Sequence, residues 1–485
     1  MIALLLLFYP LLAGLILLAT QPAQAKKLAL YLAIPELLLT LFAYGQLRQV
    51  GGGIGIDWSF PWIESFGISF HLNLDGISYI LVLLTNLLVP FIIAAGSKVE
   101  PHKSGVFYSL ILFMQMALVG VFLAADGFLF YLFWELALIP IYFICLLWGG
   151  ENRLRITFKF FVYTLAGSLL MLAALIYLQQ HTVGVQHTFD IKALYKAGQS
   201  LSAKGQGFVF WCFFLAFAIK MPVFPFHTWQ PDTYTTAPTQ GTMLLSGIML
   251  KMGTYGLIRW LLPMAPEGLK EWGTFAITLS IISILYASVL AMAQKDYKRL
   301  IAYSSIAHVG LIAAGILAGN FFGIQGGLVQ MFSHGLTVVG LFYIAELISE
   351  RMQTREIEKL GGIRNVAPQF ALLFLIVLLG SIALPLTSGF VGEYLLMGGL
   401  FNWNPMYAAF AGISIILGAV YMLRSYQGVM LGETNGLTAG FKEITADEKW
   451  VLIPLVALVI LLGVYPKPLQ DISAPAIEQL LTLLP

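Results

Sequence analysis

The chain is built from apolar blocks of roughly 20 residues, the length at which a helix crosses the ~30 Å hydrocarbon core of a bilayer. A membrane β-barrel would instead show segments of about ten residues that alternate apolar and polar positions, and the sequence has none. Only 10% of the 485 residues are charged and 59% are hydrophobic, whereas a soluble domain carries about 25% charged residues. The sequence therefore predicts an all-α polytopic membrane protein.

The blocks predict about fourteen transmembrane helices, near residues 2–20, 28–46, 76–96, 106–124, 127–148, 156–178, 207–227, 241–262, 272–293, 300–318, 321–349, 368–399, 406–426 and 448–466. Longer connections fall at 47–75, 179–206 and 427–447. The amphipathic tail, Ile472 to Leu484, is expected along the membrane surface. Ala23-Gln24-Ala25 resembles a signal-peptidase site, but no basic residue precedes it, so we expect a retained first span.

The distribution of basic residues between loops predicts the orientation. With the N-terminus outside, fifteen basic residues fall in inner loops and six in outer loops. The inner set is Lys26, Lys27, Lys98, Lys103, Arg153, Arg155, Lys295, Lys298, Arg299, Arg351, Arg355, Lys359, Arg364, Lys442 and Lys449; the outer set is Arg48, Lys192, Lys196, Lys204, Lys270 and Lys467. Cytoplasmic loops carry this excess, so both termini are predicted on the outer side.

Four charged residues lie at least a turn inside apolar blocks: Glu135, Lys220, Lys251 and Glu393. A charge at mid-membrane costs about 2.5–3.5 kcal/mol even on the lenient insertion scale. Four of them indicate mutual pairing or a wet interior. They could be salt bridges that only hold helices together, but hydrogen bonds between small residues would do that at lower cost. We therefore interpret them as proton-transfer groups.

Five other charges in the apolar blocks have simpler interpretations. Lys159, Arg259, Glu346 and Arg424 lie near predicted span ends, where long side chains reach the interface. Glu36 follows a proline in the second span, and the sequence assigns it no role. A structural hydrogen bond would explain it as well as any function.

Two histidines extend the row of buried polar groups. His308 lies four residues after Ser304, on the same helical face, and His334 is deep in its span. A buried histidine is often only a satisfied core residue, but two of them between lysine and glutamate sites indicate proton transfer. A metal site is not expected, because no second ligand stands at i+3 or i+4. Cys145 and Cys212 lie inside apolar blocks without ligand spacing and are predicted to be core thiols.

Two spans carry a proline or glycine interruption next to a charge. In span seven Pro222 follows Lys220 by two residues, and in span twelve Pro385 and Gly389 precede Glu393. Proline removes a backbone donor and interrupts a helix. Breaks at corresponding places in two halves point to inverted repeats with sites near the midplane, and the freed backbone groups need water or polar partners.

These features divide the chain into four parts. The predicted units are N-terminal helices at 1–105, a first five-helix repeat at 106–262, a second five-helix inverted repeat at 272–426, and a last helix with the tail at 427–485.

Several long segments resemble the antiporter-like subunits of respiratory complex I, and the resemblance covers nearly the whole chain. The most specific are AFAIKMPVFPFHTWQPD from Ala216 and APTQGTMLLSGIMLKMGTYG from Ala237. Others are DGIS from Asp75, FWELALIP from Phe133, KFFVYT from Lys159, AYSSIAHVG from Ala302 and GFVGE from Gly389. The resemblance implies two repeats with broken helices. It also implies that Glu135 and Lys220 are a coupling pair, that Lys251 and His308 continue a hydrophilic axis, and that Glu393 is its terminal site.

Two features favour the M-type branch of that family. The L and N branches usually have lysine where this chain has Glu393, and too little chain follows residue 466 for the long lateral helix of the L branch. One segment departs from the family: after Pro231-Asp232 the family often reads Ala-His-x-Glu, whereas this chain has Thr233-Tyr-Thr-Thr236. No proton-intake role transfers to those positions.

The resemblance implies a proton-translocating membrane subunit of NADH:quinone oxidoreductase, in a bacterial inner membrane with both termini on the periplasmic side. No cofactor is expected in this chain: NADH, FMN, iron–sulfur clusters and quinone would bind partner subunits. The expected partners are membrane-arm subunits of the L, N, K, A, J and H types, lipid and protons, without nucleic acid.

The sequence leaves open a cation/proton antiporter subunit or a subunit of a membrane-bound hydrogenase-type complex. A self-contained redox enzyme is disfavoured, because there is no G-x-G-x-x-G unit and no cysteine cluster. A purely structural scaffold would leave the four buried charges unexplained.

Overall fold

A computed structural model describes residues 1–96, 101–184 and 187–484. Lys98, which the sequence assigns to an inner loop, lies outside the described residues. The α-helices are α1 Ile2–Leu18, α2 Pro22–Val50, α3 Gly76–Ala94, α4 Ser104–Leu123, α5 Gly127–Leu136, α6 Leu138–Trp148, α7 Arg153–Gln180, α8 Ile191–Ser200, α9 Ala203–Lys220, α10 Gln230–Thr236, α11 Thr239–Leu244, α12 Leu250–Gly256, α13 Leu262–Met264, α14 Pro266–Met292, α15 Tyr297–Leu317, α16 Phe321–Met352, α17 Ile363–Val366, α18 Pro368–Ser381, α19 Ser388–Trp403, α20 Pro405–Met430, α21 Ala446–Val464 and α22 Lys467–Leu481.

Helices occupy every predicted span, which confirms a polytopic helical fold. Within the described residues, nine helices are individually long and apolar enough to cross a membrane, or ten if the bent pair α21 and α22 counts as one span. The other predicted spans hold shorter or interrupted helices, namely α1, α9, the run from α11 to α13, and α18 with α19. The count of about fourteen crossings stays a prediction.

Both predicted helix breaks are present. The helix α9 ends at Lys220, and α10 begins only at Gln230. The helix α18 ends at Ser381, and α19 begins at Ser388. Two further irregularities were not predicted: π-helical turns at Leu245–Met249 and Leu257–Leu261 stand on either side of α12.

A β-hairpin lies in the connection that the sequence analysis left without structure. Strands β1 (Ile56–Ile63) and β2 (Ile68–Leu74) pair antiparallel, and the register shifts between Pro61 and Ile63. The ring of Phe70 stacks on Phe60 at 5.8 Å and on Phe8 of α1 at 6.1 Å. The hairpin is therefore fixed to the helices by aromatic packing, and it adds a small two-stranded sheet to the predicted helical fold.

The loops at each end of the bundle contact loops of the same predicted side. At the end predicted to face inward, the Gly150 amide donates to the Thr236 carbonyl at 2.8 Å and the Tyr297 amide donates to Arg355 at 2.9 Å. At the other end, the Ala125 amide donates to the His71 carbonyl at 2.9 Å. These contacts agree with the predicted alternation of the helices.

The amphipathic tail forms α22, which turns by 65° from α21 and packs against α3 and α16. Its buried residues include Leu469, Ile477 and Leu480, and its polar residues lie on the other face. The tail therefore covers the outward ends of these two helices.

Candidate functional site

Lys251 lies at the centre of the bundle, on the short helix between the two π-helical turns. It is 1% exposed, and its Nζ donates to the Ser246 carbonyl at 2.6 Å and contacts His334 Nδ1 at 2.9 Å. A π-turn withdraws a backbone carbonyl from the regular ladder, and such turns often occur at functional sites. Here the Ser246 carbonyl, inside the first π-turn, accepts the lysine.

His334 connects Lys251 to His308. Its Nε2 lies 3.1 Å from the Ser305 hydroxyl, and its ring centroid lies 5.7 Å from that of His308. If the lysine ammonium donates to Nδ1, then Nε2 carries the ring proton and donates to Ser305. The two histidines come from α16 and α15, so this contact forms only when the two helices pack.

His308 sits between two carbonyl oxygens. Its Nδ1 lies 2.8 Å from the Ser304 carbonyl, and its Nε2 lies 2.9 Å from the Ser381 carbonyl, at the end of α18. A carbonyl can only accept, and neutral imidazole has a single N–H. The imidazolium form would satisfy both contacts, whereas the neutral form leaves one nitrogen facing an acceptor. The site can therefore hold an extra proton on His308.

Glu393 completes the chain. Its Oε1 lies 3.6 Å from His308 Nε2 and accepts a long hydrogen bond from Gln330 Nε2 at 3.4 Å. Its side chain is 7% exposed. One buried row of titratable groups therefore runs through Lys251, His334, His308 and Glu393. The sequence analysis had interpreted all four as proton-transfer groups.

Glu135 and Lys220 are near each other but are not in contact. No ion pair within 4.0 Å joins them, although both residues lie in the described part of the chain. Instead the Lys220 ammonium lies 5.5 Å from the ring centroid of Trp134, a favourable position for a cation. Ser168 interacts with the Glu135 carboxylate. The structure thus shows the predicted pair with its members separated, and the sequence analysis missed Trp134.

Among the described residues, the ammonium of Lys220 has no hydrogen-bond acceptor. Lys220 is 2% exposed, and its Nζ makes no hydrogen bond to the described residues. Nδ1 of His227, on the far side of the helix break, also has none. A buried charge without hydrogen bonds is costly. Only water or a movement of Glu135 can satisfy the donors of Lys220 in its charged form.

The structure shows the contacts of the charged side chains that were expected to reach the interface. Lys159 pairs with Asp232 at 3.3 Å, half-buried, and Arg424 is exposed. Arg259 forms a largely buried ion pair at 2.5 Å with Asp75, the last residue of the predicted connection 47–75. Asp75 also caps α3 by accepting from the Ile77 and Ser78 amides, which explains the DGIS segment.

Glu346 is partly buried near the inward end of α16. Its carboxylate accepts a hydrogen bond from the Thr239 hydroxyl of α11. Glu346 is therefore bound to a neighbouring helix.

Glu36 belongs to a separate polar cluster in the N-terminal helices. It is 1% exposed, and its Oε1 accepts from Asn86 Nδ2 at 3.1 Å. Asn86 also donates to Thr40 at 2.8 Å and accepts from Gln115 at 2.8 Å. This cluster joins α2, α3 and α4, in agreement with a structural hydrogen-bonding role.

Gly389 precedes Glu393 by one turn, next to the second helix break. A Cβ on Gly389 would lie 2.3 Å from the Gly380 carbonyl oxygen. The glycine therefore allows α18 and α19 to approach closely across the break.

Outside the spans, His71 of the hairpin is held by two carboxylates. Its Nε2 lies 2.8 Å from Asp57 and its Nδ1 lies 3.0 Å from Asp190. Burial alone would lower the pKa of His71, but the hydrogen bonds to the two aspartates outweigh it, and the pKa is raised. Burial raises the pKa of Asp190, but its bond to His71 reverses the effect, and that pKa is lowered. The three residues fix the hairpin to the loop before α8.

No cluster of three or more potential metal ligands occurs in residues 1–96, 101–184 and 187–484. Cys145 and Cys212 are buried, free thiols.

Comparisons with known proteins identify the family of this arrangement. Residues 124–418 match a sequence profile described as the transmembrane family of NADH:quinone oxidoreductase and Mrp antiporters. The chain is 38% identical to NADH-quinone oxidoreductase subunit M of Rickettsia typhi, over 98% of this chain and 97% of that protein. It is 35% identical to the Escherichia coli protein of the same name, over 93% of this chain and 92% of that one.

Among solved structures, the chain matches one from respiratory complex I of Thermus thermophilus with a TM-score of 0.92 and 32% identity, over all of both chains. A chain of the Mrp complex of Dietzia matches with a TM-score of 0.85 at 20% identity, over 98% of this chain and 52% of that chain. The second match shows a shared fold only.

Proposed function

The chain belongs to the NADH:quinone oxidoreductase/Mrp antiporter membrane family, and we propose that it is the M-type, proton-translocating membrane subunit of an NADH:quinone oxidoreductase. The observation that supports this most is the buried row Lys251–His334–His308–Glu393. Each neighbour in the row is itself titratable, so a proton can pass along it. A set of salt bridges that only held helices together would not need two histidines between a lysine and a glutamate.

The pair Glu135 and Lys220 is the element that couples the row to the rest of the complex. Moving one charge against ~200 mV costs about 4.6 kcal/mol. An exposed ion pair contributes only about 0–1 kcal/mol, but a desolvated pair interacts far more strongly. When Glu135 approaches Lys220, the ammonium form is favoured; when it withdraws, Lys220 is favoured to release its proton. The separated pair in the structure corresponds to the second state.

Electron transfer belongs to other subunits in this proposal. This chain would hold no cofactor, and NADH, FMN, iron–sulfur clusters and quinone would bind its partners. The partners would be membrane-arm subunits of the L, N, K, A, J and H types. The chain would lie in a bacterial inner membrane with both termini on the periplasmic side, because of the excess of basic residues in the predicted inner loops.

A cation/proton antiporter is the second candidate, since the Mrp chain shares the fold. The higher identity to the subunit M relatives, together with their full-length coverage, favours the oxidoreductase.

An affinity tag after Pro485, with a second one before Met1 in a separate strain, tests this proposal. Purification from solubilised membranes should bring down the other subunits of the oxidoreductase together with NADH-oxidising activity. In intact cells with a permeabilised outer membrane, both tags should react with an impermeant label. Co-purification with an Mrp-type or hydrogenase-type set of subunits would contradict the assignment. A tag reachable only from the cytoplasm would show that the number of spans is wrong by at least one.

A further inference from the structure

A polar cavity of about 780 Å³ opens between the two repeats, at the end of the bundle predicted to face inward. Its lining comes from the segment around Thr239, from Lys298 of α15, from Glu346 of α16 and from Arg355 of the loop after α16. The remaining charged groups around it are Glu151, Asp296 and Arg299. The proposed function uses none of these residues.

Of the three carboxylates in the cavity lining, Glu346 is the one that is hydrogen-bonded to α11, the helical segment that leads to Lys251. It accepts from the Thr239 hydroxyl at the start of α11. Asp296, by contrast, pairs with Arg355 at 3.1 Å and caps α15. Lys298 is 4% exposed and donates to the Ala237 carbonyl at 2.9 Å. Lys298 of the same lining is therefore hydrogen-bonded to the backbone.

A line of buried hydroxyls leads from Thr239 toward Lys251. Thr239, Thr242 and Ser246 follow one another at intervals of three and four residues, so they share one helical face. The Ser246 hydroxyl donates to the Thr242 carbonyl at 2.7 Å, and the Ser246 carbonyl accepts from Lys251 at 2.6 Å. From Thr239 to Ser246 the helix rises by about 10 Å. Polar groups thus bridge the distance between the cavity and the buried row.

On the side away from the hydroxyls, packing against α16 closes the space between the cavity and Lys251. A Cβ on Gly247 would lie 2.8 Å from the Val339 side chain of α16. One turn closer to the cavity, the ring of Phe342 meets Tyr234 edge-on at 5.9 Å. The residues between the cavity and Lys251 therefore pack through apolar groups on the side of α16, and the hydroxyls form the polar side.

We propose that this cavity is an inner-side proton intake for Lys251, and that Glu346 is the group that collects the proton. Glu346 takes a proton from water in the cavity and passes it along Thr239, Thr242 and Ser246, with water between the hydroxyls, to the neutral amine of Lys251. Glu346 then returns to the carboxylate form. The cavity lining has two other carboxylates: Glu151 is exposed at the rim, and Asp296 pairs with Arg355. Glu346 is the carboxylate bonded to Thr239 at the start of the hydroxyl line. The inference rests on the proposed function, because it supplies protons to the row described above.

NADH-driven proton uptake by sealed vesicles that contain the assembled complex tests this intake. Glu346→Gln keeps an acceptor for Thr239 but cannot titrate, and its initial rate should fall about tenfold, less than the usual loss of an acid–base group because water still delivers some protons. Direct delivery from bulk water rises with proton concentration, so the loss should shrink as the pH of the inner side is lowered. Thr239→Val, which removes the hydroxyl at nearly constant volume, should show the same pattern.

Two variants serve as controls. Glu346→Asp retains a carboxylate and should keep most of the rate. Glu350→Gln changes an exposed glutamate one turn further along α16 and should pump like the wild type.

The outcomes separate this inference from the proposed function. Normal uptake by Glu346→Gln at every pH would overturn the intake role; if Glu393→Gln has meanwhile lost uptake in the same vesicles, the proposed function stands. Normal uptake by both variants would contradict both. If Glu346→Gln fails to assemble, Thr239→Val decides: normal uptake by that variant overturns the relay, and a loss that acid relieves supports it.

Discussion

Each titratable group in the buried row contacts partners that do not fix its charge. Lys251 meets a carbonyl and a histidine, and Glu393 meets an amide and a histidine. Lys220, outside the row, meets an aromatic ring. Arg259 and Asp75, in contrast, form a direct ion pair at 2.5 Å, in which each charge has an opposite charge as its partner.

Glu393 is predicted to be the terminal proton-loading site. Glu393→Gln keeps the shape and the contact to Gln330 but cannot titrate, so it should sharply reduce proton uptake while the complex assembles normally. Glu393→Asp and Glu393→Lys should each retain a measurable part, because the site needs a titratable group. Proton uptake in sealed vesicles and a blot for the assembled complex give the two readouts. Wild-type uptake by the glutamine variant would place the exit elsewhere, and a loss of assembly would make the residue structural.

Buried charges were visible in the sequence because a charge inside an apolar block is costly, and Glu135, Lys220, Lys251 and Glu393 were all found in this way. Their partners were not visible. Trp134 looks like any core aromatic in an apolar helix. The pairing of Arg259 with Asp75 joins residues far apart in sequence, and no local sequence pattern indicates it.

At the scale of single elements, the helix breaks place charges at helix ends. Lys220 is the last residue of α9, where the partial negative charge of the helix terminus stabilises a cation. Glu393 follows the second break, one turn after the start of α19. Proline and glycine predicted both breaks because their effect on the helix is local. The first π-turn beside Lys251 contains no proline, and Pro263 stands two residues after the second; the sequence analysis predicted neither turn.

The β-hairpin was missed for a related reason. Its strands contain Pro61 and are interrupted by Glu64 to Gly67, and against strongly apolar helices their short alternation was a weak signal. Aromatic and β-branched residues around a Gly67 turn are nevertheless the usual composition of such a hairpin.

The attachment of the hairpin through His71 should depend on pH. The folded-state pKa of His71 lies above its ordinary value of 6.5, so its contribution is fully present below pH 6.5 and is lost as the pH rises through the folded-state value. Asp190, whose pKa is lowered, sets an acid limit, because its contribution disappears as the pH falls through its own folded-state value. Hydrogen exchange of residues 56–74, corrected for intrinsic rates, should therefore be slower at about pH 6 than at about pH 9.

His71→Gln provides the control for this prediction. Glutamine can still hydrogen-bond an aspartate but does not titrate in this range, so the corrected exchange should no longer change between the two pH values. Equal protection of the wild-type hairpin at both values would contradict the account.

At the scale of the whole molecule, the buried row exists only because four helices meet. Its residues come from α12, α15, α16 and α19, and His308 also contacts the end of α18 through Ser381. Sequence patterns predicted the helices, the breaks and most of the titratable residues. They could not predict the order of contacts along the row, because that order is set by packing between different helices, such as the contact of Lys251 with His334, 83 residues further along the chain.

The alternation of loops was predictable at the same scale. Positive charges in alternate connections indicated two sides, and the contacts between Gly150 and Thr236 and between Ala125 and His71 group the loops accordingly. The cavity beside Glu346 was not foreseen, since its lining residues are assembled from separate connections.

The central claim is that Lys220 carries protons and does not merely hold a positive charge. The direct measurement is NADH-driven proton uptake by sealed vesicles containing assembled complex with Lys220→Ala or Lys220→Arg. Arginine retains the charge but effectively never releases its proton, so it can pair with Glu135 and cannot cycle. We expect uptake to be abolished and coupled quinone reduction to slow in both variants. Normal proton uptake by Lys220→Arg would contradict the account and leave only a structural ion pair.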